Sequence, residues 1–346
     1  MNSGQRSVVS NQRSVKGGLL AMVVVLLELC LASMSPGAAE RDGRWAILLA
    51  GVSGDAELQN LYWKEIEDLH SLLTGPLGFP KDQIVVLFDD PAKNPSLIQH
   101  KSNMEGLQAA CRNIAERVKK EDLIFVFIEG HGNYDGKIYK LNLVGPDPTA
   151  ESLAATLYSI PAQRFVIVNA TSCSGGSLAA LSQEGHVVIT ATKSGMERNQ
   201  THLGQYFIDS FKNNAADANK DGRVSVMEAF SYAGQKVESY YDSDGNLQTE
   251  HPVLDDNGDA KAQGKPSPEN GEGLLAGTTF LDSGIRAGTN SGLAPEQQAL
   301  AQAALELEKQ IEALKYAKGK MAEAEYEKKL EDLLLQLARI HAKLSK

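Results

Sequence analysis

Two short strings carry side chains able to do covalent chemistry. Glu129-Gly130-His131-Gly132 closes the apolar run Leu123 to Ile128, and Thr171-Ser172-Cys173-Ser174-Gly175-Gly176 closes the apolar run Phe165 to Val168. Short apolar runs bounded by glycine and polar residues predict buried strands of a parallel sheet, and open α/β sheets present their binding crevice at the carboxyl ends of the strands. A thiol becomes a good nucleophile beside a base or in an electropositive setting, and an imidazole supplies that base near neutral pH. His131 and Cys173 therefore form a candidate cysteine-nucleophile dyad. Ser172 and Ser174, which flank the thiol, read as turn residues.

A second string points to a cation. Residues 217–228, Asp-Ala-Asn-Lys-Asp-Gly-Arg-Val-Ser-Val-Met-Glu, match the twelve-position EF-hand loop. Side-chain oxygens of Asp217, Asn219 and Asp221 fall at positions one, three and five, with Gly222 turning the chain at six. Position seven offers the Arg223 carbonyl, position nine Ser225 through water, and position twelve Glu228 as a bidentate carboxylate. Ca²⁺ is the expected ion, as a structural staple; the bland alternative is an acidic turn between two helices. The string Asp255-Asp256-Asn257-Gly258-Asp259 lacks glycine at its sixth position, where Ala260 stands, and has Pro266 at its twelfth. It reads first as an Asn-Gly turn and only second as a metal loop. His251-Pro252 reads as a turn.

These residues need elements to position them. Strand patterns at Trp45 to Ala50, Ile84 to Phe88, Leu123 to Ile128, Arg164 to Asn169 and Val187 to Thr192 alternate with helical patterns at Leu58 to Leu73, Ser96 to Lys119, Thr149 to Tyr158 and Leu203 to Asn213. Lys137 to Leu143 alternates as a short hairpin arm, and Val226 to Tyr240 is helical after the acidic loop. The alternation predicts an α/β fold, a doubly wound, mostly parallel sheet flanked by helices.

The two ends differ in kind. Arg6, Arg13 and Lys16 precede the apolar stretch Leu19 to Met34 and the small residues around Ala38-Ala39, so 1–39 reads as a secretory signal. An uncleaved anchor is the alternative, though the stretch is short for a bilayer and contains Glu28. The rest is expected to be exported, periplasmic or secreted, with no stable membrane span once the signal is removed. Residues 40–260 form the main domain, and the Gly-, Pro- and Ser-rich segment 261–293 reads as a linker with a brief ordered interruption around Leu274 to Leu281. Leu300, Ala304, Leu307, Ile311 and Leu314, then Tyr326, Leu330, Leu333, Leu337, Ile340 and Leu344, make two apolar stripes on either side of Lys318-Gly319-Lys320. They predict a coiled-coil-like helical hairpin at 294–345, packed on itself or on the main domain, or used for self-association.

The 346-residue chain carries a formal net charge of −10, which disfavours nucleic acid as a partner. Two cysteines lie outside the signal, too few for a disulfide framework. Cys111 sits in the stripe Leu107, Ala110, Cys111, Ile114 and reads as a small core residue, a bridge to Cys173 being the lesser alternative.

The order strand, Gly-His-Gly, strand, Cys-Ser-Gly resembles the caspase-like cysteine peptidases, and within them the legumain-like branch. Arg44-Trp45-Ala46-Ile47-Leu48-Leu49-Ala50-Gly51, Gln83 to Asp90 and Thr190 to Gly195 are similar to flanking strands of that family, over roughly residues 44–259. The resemblance implies that Cys173 attacks a scissile carbonyl, that His131 serves as general base and acid, and that the N–H groups of Gly132 and Cys173 hold the oxyanion. It implies a thioester acyl-enzyme and a peptide or protein substrate. Thr171 departs from the pattern: members that cleave after basic or Asn residues place an acidic residue there. The segment Gly51 to Glu57 shows no clear counterpart of the Asn that orients the legumain histidine. The expected function is an exported cysteine endopeptidase; the alternatives are a calcium-stabilised, catalytically inactive binding module and a transamidase using the same dyad.

Overall fold

The apolar runs assemble into one mixed sheet. The computed structural model describes residues 43–243, 245–283 and 295–344; the signal at 1–39 and residues 284–293 of the linker lie outside the described residues. Seven strands, β1 (Arg44–Ala50), β2 (Ile84–Phe88), β3 (His100–Lys101), β4 (Leu123–Glu129), β7 (Arg164–Asn169), β8 (His186–Thr190) and β9 (Val253–Asp255), lie in the order β3-β2-β1-β4-β7-β8-β9. All pairs are parallel except β8 with β9, which is antiparallel at the edge. Strands β5 (Gly132–Tyr134) and β6 (Tyr139–Leu141) form a separate antiparallel arm close to the expected hairpin.

Every residue of β1 and β4 is buried, because helices cover both faces of the sheet. Ala46, Leu48, Phe125 and Phe127 face α1 (Ala56–Thr74), α5 (Leu203–Ser210) and α6 (Val226–Ser243) in one apolar cluster. Trp45, Ile47, Leu49 and Val126 face α2 (Met104–Ala115), α3 (Ala150–Leu157) and α4 (Leu178–Leu181) in the other. Cys111 lies fully buried in this second cluster, and both Cys111 and Cys173 are free thiols. Strand order reverses between β1 and β4, the position where open α/β sheets leave a crevice at their carboxyl ends.

Two expectations change. The helix expected over Ser96 to Lys119 is α2, starting at Met104, because His100 and Lys101 pair with β2 and the Asn103 side chain caps the helix by accepting from the Gly106 N–H at 2.7 Å. The segment expected as linker is structured as far as Ser283, and not only over the ordered stretch expected at Leu274 to Leu281. Leu254 and Gln263 exchange backbone hydrogen bonds at 2.8 and 2.9 Å, α7 spans Leu274–Thr278, and Ala276 and Leu281 are fully buried. These apolar side chains join the core cluster beside α6, which a free linker would leave uncovered.

The C-terminal stripes form α8 (Pro295–Ala317) and α9 (Glu323–Leu344), a helical hairpin with Leu307, Ile311, Leu314 and Tyr326 buried. The α8 helix also contacts α7. No helix among the described residues is long and apolar enough to cross a membrane.

Candidate active site and metal-binding loop

Ile128 of β4 pairs with Asn169 of β7, so the loops that carry His131 and Cys173 leave the sheet side by side. They touch directly: the Gly132 N–H donates to Ser172 Oγ, and Ser172 Oγ–H donates to the Gly132 carbonyl, both at 3.1 Å. A Cβ on Gly132 would come within 2.2 Å of the Ser172 carbonyl oxygen and 2.5 Å of the Tyr139 ring. Only glycine lets the two loops approach this closely.

Cys173 stands at a sharp strand-to-helix turn with φ of 59°, in the left-handed region that a non-glycine residue rarely occupies. A helical turn at Ser174–Ser177 and then α4 follow it. Strain of this kind persists where the surroundings hold it and is typical of a displayed nucleophile. The holding contacts come from Thr192, whose Oγ1 accepts from the Gly175 N–H at 2.8 Å, and from Ser174, whose Oγ accepts from the Thr192 N–H at 3.2 Å. Beneath the turn, Thr171 Oγ1 bonds the Tyr139 hydroxyl at 2.7 Å and Asn169 Oδ1 at 2.8 Å, so this residue faces the buried floor.

Burial raises the Cys173 thiol above its usual value, and the Arg198 guanidinium pulls it back down. Cys111 is pushed up to about 12 by burial, against the pull of the neighbouring Arg112. The Arg198 side chain is fixed by a hydrogen bond to the Tyr134 carbonyl at 3.1 Å.

His131 is half-buried, and burial lowers its basicity while the nearby Asp55 carboxylate raises it. Its Nε2 lies 3.3 Å from the hydroxyl of Tyr62 on α1. Tyr62 stays protonated well beyond neutral pH through burial and the neighbouring Glu129, Glu65 and Asp55. Among the described residues no hydrogen bond joins His131 to Cys173, and both backbone groups expected to hold an oxyanion are engaged. The Gly132 N–H is on Ser172, and the Cys173 N–H donates to the carbonyl of Glu197 at 2.7 Å. Glu197 is pinned in turn: its carboxylate meets His251 Nδ1 at 2.5 Å and accepts from the Lys193 N–H at 3.0 Å.

Tyr62, Arg198, Glu197 and His251 were not candidates from sequence. Tyr62 is one apolar-stripe position of a helix, and Glu197 and His251 meet only through tertiary folding; no local spacing marks any of them.

The acidic loop lies away from this crevice, immediately before α6. The Gly222 N–H donates to Asp217 Oδ2 at 2.9 Å, the Asp221 N–H to Asn219 Oδ1 at 2.9 Å, and the Arg223 N–H to Asp221 Oδ1 at 2.8 Å. Gly222 has φ of 84°, the turn that position six demands. Glu228 reaches back, accepting from the N–H groups of Ser225 at 2.9 Å and Ala218 at 3.1 Å. Burial raises the Asp221 carboxyl, with the Glu228 and Asp217 carboxylates adding to it, and Asp217 Oδ1 is buried without a partner. An oxygen-only donor set with an orphaned carboxylate oxygen fits a hard divalent ion. The Arg223 side chain turns away from the loop to pair with Asp282 at 2.6 Å and to lie over Phe280 at 3.7 Å, leaving its carbonyl as its contribution to the loop.

No family model matches this chain, and no curated protein matches it. Among solved structures, it is similar to protein GSU0716 from Geobacter sulfurreducens, with 12% identity and a TM-score of 0.42 over 65% of this chain and 95% of that one. It is also similar to Raptor from Chaetomium thermophilum, with 9% identity and a TM-score of 0.34 over 60% of this chain and 19% of that one.

Proposed function

We propose that this protein is an exported cysteine endopeptidase in which Cys173 is the nucleophile and His131 the general base and acid, with the caspase-like, legumain-like identity that its motifs suggest. The observation that carries the reading is the strained left-handed backbone of Cys173 at the carboxyl end of β7, packed through Ser172 and Gly132 against the loop that carries His131. A structural cysteine has no need of that geometry; Cys111 sits unstrained in a helix.

With Nε2–H donating to the Tyr62 oxygen, Nδ1 of His131 is the nitrogen left to accept the thiol proton. The thiolate sulfur bonds to the scissile carbonyl carbon, and the carbonyl π electrons move to oxygen. Collapse expels the amine, which takes the proton from the imidazolium and leaves a thioester on Cys173. Water, deprotonated by the same nitrogen, then releases the acid. For the Gly132 and Cys173 N–H groups to hold the oxyanion, Ser172 must rotate and the segment carrying Glu197 must shift, so the conformation described is a closed one.

The loop 217–228 holds Ca²⁺ through Asp217, Asn219, Asp221, Glu228, the Arg223 carbonyl and a water on Ser225. Bound there, the ion cross-links the start of α6 to the turn before it. Ser225 also pairs with Phe280, so the α7 segment is tied to the same point. A second copy would pair through Leu334 and Leu335, which are about half exposed on α9.

A panel of peptidyl acyloxymethyl ketones differing at the residue before the cleavage site tests the reading, with and without Ca²⁺. Labelling that vanishes in Cys173→Ala supports an activated thiol. Absence of labelling from a folded chain with a free thiol would favour the inactive binding module, the reading to which the engaged N–H groups lend weight. Hydroxylamine or a peptide amine added during turnover separates hydrolysis from transamidation.

A further inference from the structure

We propose that Asp255, Asp259 and Glu272 hold a second divalent cation of the calcium type at the β9 edge of the sheet, separate from the loop 217–228. Strand β9 ends on Asp255, which is fully buried. Its Oδ1 accepts from the Ser182 hydroxyl at 2.7 Å and from the Gly258 N–H at 3.1 Å. Its Oδ2 is equally buried and has no partner. A carboxylate oxygen left bare in the interior keeps its full desolvation penalty, so folding to this arrangement calls for something that meets it.

The chain around Asp255 brings two further carboxylates to it. After Asp255 it turns sharply, with φ of 81° at Gly258 and 59° at Ala260, and Ala260 N–H is tied to Ser182 Oγ at 3.2 Å. Glu272 arrives from the far side, 1% exposed, with Oε2 accepting from the Asp256 N–H at 2.7 Å. One oxygen each from Asp255, Asp259 and Glu272 then lies within 4.8 Å of the others. Asp256 accepts from the N–H groups of Gly273 at 2.7 Å and Ala276 at 2.8 Å at the start of α7, and its side chain also hydrogen-bonds the Glu272 carboxyl. The facing cation is Lys261, 3.6 Å from Asp259 and 80% exposed, which leaves the buried oxygen of Asp255 unmet.

The donor set decides the ion. It holds oxygen ligands with neither imidazole nor thiolate, the preference of Ca²⁺ rather than of zinc or copper. Three carboxylates supply part of the six to eight oxygens that Ca²⁺ takes, and the exposed side at Asp259 admits water for the rest. Sequence spacing alone masked the site, because its third carboxylate comes from Glu272 and not from an EF-hand twelfth position. A cation here joins the end of β9, the end of α4 and the approach to α7.

Calcium titration of the full chain by calorimetry, with the thermal midpoint read in parallel, tests this. Glu228→Gln disables the first loop, and Asp259→Asn, at an exposed position, disables the second site without disturbing the core. Glu228→Gln is expected to keep one Ca²⁺ per chain and a calcium-dependent rise in midpoint, and Asp259→Asn in that background to weaken the remaining binding at least tenfold. In the otherwise unaltered chain, Asp259→Asn should lower the stoichiometry from two to one. The proposal is overturned if Asp259→Asn changes neither stoichiometry nor affinity, or if Glu228→Gln binds no Ca²⁺ up to about 10 mM, above the roughly millimolar constants of extracellular modules. Neither result would touch the first loop.

Discussion

The backbone N–H of Cys173 donates to the carbonyl oxygen of Glu197 at 2.7 Å, and that glutamate is anchored by His251 through a 2.5 Å contact to its carboxylate. The segment Ser194 to Glu197 therefore acts as a strap over the thiol, fastened at a histidine distant in sequence. Removing the fastening in His251→Ala should speed alkylation of Cys173 by iodoacetamide by about 3- to 10-fold, the equivalent of losing one hydrogen bond of ~1 kcal/mol to a charged group. The His251 side chain is 37% exposed, so the core is spared. An unchanged alkylation rate would show that the strap is held by its backbone alone.

Arg198 is the positive charge that lowers the Cys173 thiol against the effect of burial. Arg198→Ala should move the midpoint of the alkylation-rate pH profile upward, whereas Arg198→Lys, which keeps the charge, should move it less. Equal profiles in all three proteins would leave desolvation as the sole influence on the thiol.

The central sheet was legible because β1, β4 and β7 are continuous apolar runs, and burial on both faces leaves that mark. His131 and Cys173 were legible for a related reason: each directly follows such a run, and a parallel sheet delivers both to one edge. The start of α2 was misread because Leu97 and Ile98 extend its apolar pattern backwards, although Asn103 marks the cap. Composition misled only outside the ordered stretch Leu274 to Leu281, which buries Ala276 and Leu281 as its apolar pattern implied; ahead of it, glycine and proline make turns in a segment that is also packed and buries Glu272. Tyr62, Glu197 and Glu272 act across gaps of tens of residues, and no periodicity encodes a contact of that range.

The Tyr62 hydroxyl orients the His131 ring through its 3.3 Å contact to Nε2. Tyr62→Phe retains the apolar ring against α1's neighbours and removes only the hydroxyl. For the proposed peptidase, kcat should fall about tenfold with KM little changed, as expected when the orientation of a general base is lost. A rise in KM at constant kcat would instead assign the hydroxyl to substrate binding.

In the loop 217–228 the Glu228 and Asp217 carboxylates both disfavour the charge on Asp221, and Asp217 Oδ1 lacks a partner. Calcium should raise the thermal midpoint, with ~2.7 kcal/mol of added stability at a hundred times the dissociation constant, and chelation should reverse it. Glu228→Gln should remove the share of this gain that belongs to the loop. A midpoint in Glu228→Gln that follows calcium as closely as in the unaltered chain would exclude the loop as a binding site.

Behind His131, Glu129 on β4 and Glu65 on α1, 4% and 5% exposed, hydrogen-bond one another in the core. Burial and mutual repulsion raise Glu129 well above the usual carboxyl range, and burial raises Glu65 to about 7. A carboxyl group whose folded value exceeds its unfolded value binds more protons in the folded state, so its stabilising effect is full below the unfolded value and is lost as pH rises through the folded one. The chain should lose stability from about pH 4.5 to beyond pH 7. Glu250, raised to about 7 by burial while capping α5 through the His202 and Leu203 N–H groups, adds to the same slope. Glu65→Gln puts a permanent N–H donor opposite Glu129 and removes one titrating group. Urea unfolding of this variant should give a shallower pH dependence and ~1–3 kcal/mol greater stability at pH 8 than the unaltered chain. Parallel curves for the two proteins would mean that Glu65 titrates in the folded chain as it does in the unfolded one.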